Sequence, residues 1–152
     1  MNDQTTRSKK TILHLYDSIL PELAKHINEN IAPVTALFHD FGLERIIDTW
    51  TKDPAGDATE VISIDNGNIQ QMGLKVNLEG FQRTGMDAFD MKKNLLFTLD
   101  RNSYTVGPDK NTTWLEKDYL ERWNNDEYEI VASKWAEELI DAVTERIKSL
   151  TS

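Results

Sequence analysis

The chain has 152 residues and a formal net charge of −9, from 26 acids against 17 bases. This is the scale of one domain, and the acidity disfavours direct contact with nucleic acid or anionic lipid. The absence of cysteine excludes disulfides, thiolate metal sites and cysteine nucleophiles together.

No apolar run nears the roughly 20 residues of a membrane span. The opening MNDQTTRSKK lacks the apolar centre of a secretory leader. The expectation is a single cytoplasmic domain over 1–152, with 1–8 as a tail, no membrane contact and no cofactor.

In the first third, Ile12, Leu15, Tyr16, Ile19, Leu23 and Ile27 recur at three- and four-residue steps, the mark of one buried helical stripe. The spacing predicts a helix over 8–28. Pro21 cannot donate to the carbonyl four residues back, so the helix either kinks there or restarts, and the unbroken stripe favours a kink. Pro33 is expected to push Ala32 out of the helical region, and 34–50 reads as a second helical stretch interrupted at Gly42.

From residue 59 the period shortens. Residues 61–64, 72–78, 95–99 and 104–106 are short, rich in branched and aromatic side chains and separated by Asn, Asp and Gly clusters, which predicts antiparallel strands. A three-residue loop over 66–68 sets Ile62 opposite Met72 in a first hairpin, and Arg101–Asn102 turns a later one between Leu99 and Tyr104. Thr113 with Glu116, and Asp126 with Glu129, have capping-box spacing and predict two C-terminal helices. In the second, Tyr128, Val131, Trp135, Leu139, Val143 and Ile147 hold one face. The predicted fold is α+β: N-terminal helices, an antiparallel meander of about four strands, and two C-terminal helices packed on one face of the sheet.

Residues 36–42 read Ala-Leu-Phe-His-Asp-Phe-Gly. The adjacent His39 and Asp40 resemble the His–Asp signature of the HD-domain metal phosphohydrolases, with His14 placed upstream as a further ligand. The resemblance implies a divalent metal on helical residues that activates water for phosphoester hydrolysis. This enzymatic reading is the alternative.

Binding features are better represented. The segment 80–93 carries Phe81, Arg83, Met86, Phe89 and Met91, residue types enriched at interface centres, and Asp87 is placed to cap a short turn running to Lys92. Residues 111–152 hold ten acids and five bases, a net of −5. On the last predicted helix Glu137, Glu138, Asp141 and Glu145 lie away from the apolar face. Trp114 and Trp123 point to different sides of the shorter one, so one is expected in the core and the other at an interface.

These features favour a non-enzymatic, acidic protein-binding module, inhibitor- or immunity-like or chaperone-like, whose partner is a protein with a basic surface. A homodimeric structural or phage-assembly protein is a further alternative.

Overall fold

The structure, a computed structural model, describes residues 6–48, 61–83 and 85–151. The first helical run starts where Ser8 caps it: the Ser8 N–H donates to Thr11 Oγ1 and the Thr11 N–H to Ser8 Oγ, at 2.9 and 3.3 Å. Thr6 and Arg7 also belong to the fold. Thr6 O accepts the Thr11 hydroxyl, and the Arg7 N–H donates to Arg101 O. α1 (Lys9–His14) passes through a π-helical turn (Leu15–Ile19) into α2 (Leu20–Thr35).

Pro21 accounts for that turn. It lacks the N–H that would bond one turn back, and the Leu20 N–H instead closes the wider loop onto Leu15 O. The helix neither stops nor restarts. Ile12, Leu15, Ile19, Leu23 and Ile27 all lie buried along it. Pro33 also falls inside α2, contrary to the expected break at Ala32. The proline stands near the C-terminal end, where Ala32 O still accepts the Ala36 N–H.

Residues 38–48 form β1 (Phe38–Asp48) in place of the expected second helix; residues 49 and 50 of that prediction, and the shortening of the period at 59, lie outside the described residues. Leu43, Ile46 and Ile47 stand at the three- and four-residue steps of a helix, but pairing with β2 (Gln71–Phe81) decides the outcome. Leu43 stands opposite Val76 and Ile47 opposite Met72, so the period-two set faces the core. Gly42 is an ordinary strand position with open space where a Cβ would sit.

The predicted strand at 61–64 is a turn, and the first hairpin with it is lost. Ser63 N–H donates to Asn68 Oδ1 at 2.9 Å, Asn68 Nδ2 donates to Val61 O at 3.0 Å, and Gly67 takes φ +64°. Asparagine side chains here satisfy the backbone that a ladder would have used.

The sheet has five strands in the order β1-β2-β3-β4-β5, all antiparallel neighbours. β3 (Met91–Leu99) and β4 (Ser103–Gly107) form the predicted hairpin, with Leu99 opposite Tyr104. β5 (Leu115–Asp118) replaces the shorter predicted C-terminal helix: pairing of Leu115 with Val106 and Lys117 with Tyr104 overrides the local capping pattern at Thr113 and Glu116.

A single C-terminal helix follows, α3 (Asn125–Thr151). Its cap lies earlier than Asp126. Glu127 N–H donates to Asn124 Oδ1 at 2.8 Å and Asn124 N–H to Glu127 Oε1 at 3.0 Å, a reciprocal box with asparagine in the capping role.

Met72, Leu74, Val76 and Leu78 are buried while Lys75 and Asn77 between them are not. One sheet face is therefore covered, and α2 and α3 supply the cover. Trp135 lies in the centre, fully buried, its Nε1 donating to Asn94 O at 3.1 Å.

Candidate functional site

The residues of the His–Asp motif do not converge. His39 and Asp40 are adjacent on a strand, where consecutive side chains take opposite faces, whereas the resemblance required one helical face. Asp40 Oδ1 accepts the Phe41 N–H at 2.8 Å, and His39 Nδ1 meets Gln82 Nε2 at 3.3 Å. His14 ends α1, on the wall of a separate cavity with Lys10 and Arg122.

Among the described residues, the group of His and acid side chains within metal-ligand reach of one another is His26, Glu29 and Glu129, their donor atoms within 4.8 Å. Glu129 is already engaged there. Its Oε1 accepts from Asn30 Nδ2 at 2.9 Å and its Oε2 lies 2.7 Å from His26 Nδ1. Those two bonds, Asn30 first, hold the carboxyl below the usual range. His26 also stacks on Tyr128, with ring centres 5.5 Å apart. This is a clasp between α2 and α3.

The 80–93 segment divides. Phe81 and Phe89 are buried, stacked at 4.7 Å, and both meet Phe38 edge-on. They close the end of the core. Met86 and Met91 pack half-buried against it, and Arg83 is exposed. The turn expected from Asp87 to Lys92 is not helical, since Met91 and Lys92 already pair in β3.

Of Trp114 and Trp123, Trp123 is the one in the core. Its Nε1 donates to the Tyr104 hydroxyl at 2.7 Å, and its ring lies between Phe97 and Tyr128. Burial raises the pKa of Tyr104 and Tyr119 well above the ordinary tyrosine value, so both stay neutral phenols. Tyr119 donates its hydroxyl hydrogen to Asp100 O. Trp114 is half-buried against the same core.

A hub that sequence reading missed is Lys117, 4% exposed on β5. Its Nζ donates to Arg122 O at 2.9 Å and lies 2.7 Å from Glu127 and 3.3 Å from Glu121. Only the alternation of β5, once known to be a strand, turns Lys117 inward. The ammonium ties the β5–α3 connection to the first turn of α3.

The α3 acids expected to lie away from the apolar face divide. Glu137, Asp141 and Glu145 are exposed. Glu138 is partly covered and pairs with Lys93 at 3.5 Å, while Glu145 pairs with Lys148 at 3.7 Å. Asp126, Glu137 and Asp141 have no cationic partner among the described residues. Ile130 and Ile140 are 52% and 39% exposed on the same exterior, a point the sequence reading passed over because both fell outside the buried stripe.

The fold and surface therefore define a two-layer α+β protein with an acidic outer helix. No protein-family model, curated protein or solved structure matches the chain. Among the described residues no helix is long and apolar enough to cross a membrane.

Proposed function

We propose that this chain is a non-enzymatic protein-binding module whose α3 exterior docks a protein with a basic surface, in the manner of an inhibitor, an immunity protein or a chaperone. The observation that carries the reading is the composition of that exterior: Asp126, Glu137 and Asp141 without counter-ions among the described residues, interleaved with exposed Ile130 and Ile140. Neighbouring acids of this kind weaken a free helix. A basic partner relieves the repulsion, and the isoleucines give the contact an apolar centre.

The test is capture from the native host with immobilised wild-type chain beside a Glu137→Lys/Asp141→Lys/Glu145→Lys variant. The expected result is a partner with a basic surface, held at about 50 mM salt, released near 500 mM, and lost on charge reversal. A partner that tolerates high salt, or binds the reversed variant equally well, overturns the reading.

A further inference from the structure

Lys10, Thr11 and His14 of α1 face Tyr119, Leu120, Glu121 and Arg122, which follow β5, across a cavity of about 300 Å³. Its charges are unusual for this chain. Lys10 and His14 stand one helical turn apart, Arg122 closes the opposite side, and none of the three side chains makes a hydrogen bond or ion pair among the described residues. Glu121, the acid in the lining, is turned to Lys117 at 3.3 Å and takes the Asp118 N–H at the same distance. A chain of net charge −9 has acids to spare, yet among the described residues none pairs with this group.

The walls are fixed by interactions elsewhere. Lys117 Nζ holds the Arg122 carbonyl, and the Tyr119 hydroxyl holds Asp100 O. The Thr11 hydroxyl is spent on Thr6 O. Leu120 is 53% exposed at the rim and lends the cavity an apolar side. The ammonium of Lys10, the guanidinium of Arg122 and the imidazole of His14, lining one cavity with an apolar side, fit one ligand chemistry: an oxyanion head on a small hydrophobic body.

We propose that this cavity binds a small organic oxyanion, a phosphomonoester or carboxylate, with Lys10, His14 and Arg122 on the charged head and Leu120 against the body. The site shares no residue with the α3 exterior and stands whether or not that surface binds a protein.

The probe is phenyl phosphate, titrated into the intact chain while the three histidine rings are followed by NMR, His14 being assigned with His14→Gln. The expected result is a saturable shift of the His14 ring alone, half-complete at or below about 1 mM. Lys10→Ala and Arg122→Ala, both exposed positions, should each weaken binding by about tenfold with the thermal midpoint unchanged. Benzoate in place of phenyl phosphate sorts carboxylate from phosphate, tighter binding of either one supporting the site. Inorganic phosphate that binds as tightly as phenyl phosphate removes the organic body from the proposal. A shift reproduced by sodium chloride at equal ionic strength, or unaffected by both alanine variants, overturns the site.

Discussion

Lys117 is the residue on which the β5–α3 connection turns, and its energetics follow from burial. Burial pulls its ammonium down, but the hydrogen bonds it donates to Glu127 and Glu121 outweigh that, and its pKa stands above the ordinary lysine value. Glu127 is held low, by Lys117 first and with the Asn124 N–H assisting against burial. A depressed carboxylate stabilises the fold above the ordinary carboxylate range and loses that contribution as pH falls through its folded value; a raised lysine stabilises below the ordinary lysine value and loses it as pH rises further. The pair therefore holds across neutral pH and fails first in acid. Glu127→Ala leaves a buried ammonium with only Glu121 and the Arg122 carbonyl and also removes half of the α3 cap, at a cost of about 2–3 kcal/mol in urea unfolding at pH 7. Lys117→Met/Glu127→Gln keeps the apolar stem and the cap, recovers most of that loss and flattens the acid limb of stability against pH. Equal losses in the two variants would show that packing alone is at work. Glycines make a second contrast. Gly67 has φ +64°, and a Cβ there would stand 2.8 Å from Lys9 N, so Gly67→Ala should cost about 1–2 kcal/mol. Gly42→Ala, into open space, should stay within about 0.5 kcal/mol of wild type by the same measurement.

At the scale of elements, what the sequence announces depends on which force decides each segment. The stripe from Ile12 to Ile27 and the one from Tyr128 to Val143 are long enough that periodicity alone locates α1–α2 and α3. The Leu99–Tyr104 hairpin is equally legible, because its turn is local. β1 and β5 are not. Their residues acquire strand geometry from partners distant in sequence, Val76 for Leu43 and Tyr104 for Lys117, and local spacing or capping patterns point to helix instead. The same reason hid the Lys117 hub, and it broke the His39–Asp40 site, which depended on a helix that is a strand. The outward acids of α3 were legible because they share an element with a strong stripe. The α2–α3 clasp belongs to this scale as well: His26, 12% exposed, stacks on Tyr128 and meets Glu129, so it couples the two helices. His26→Ala should lower stability by about 1 kcal/mol. His26→Asn/Tyr128→Phe, which keeps a polar side chain at 26 and an aromatic ring at 128, should lose less. Thermal unfolding of both variants reads the difference, and an equal loss would place the effect in His26 volume rather than in the clasp.

For the whole molecule, the excess of acids acts as self-repulsion, concentrated on the α3 exterior where Asp126, Glu137 and Asp141 have no counter-ions among the described residues. Such repulsion opposes the compact state and is screened within about 10 Å at 0.1 M salt. Raising sodium chloride from about 10 mM to 500 mM should therefore lift the thermal midpoint by a few degrees. The Glu137→Lys/Asp141→Lys/Glu145→Lys variant adds two charges at each of three positions, which moves the net charge from −9 to −3. Its midpoint at low salt should exceed that of wild type, and its salt dependence should be smaller. If the α3 exterior docks a basic partner as proposed, the two readouts of this one variant run in opposite directions, with the free protein gaining stability and the complex being lost. A surface shaped only for solubility would show the gain without the loss. A surface whose acids were locally stabilising would show a lower midpoint on reversal, and that outcome would remove the physical basis for reading the α3 exterior as one that awaits a basic partner.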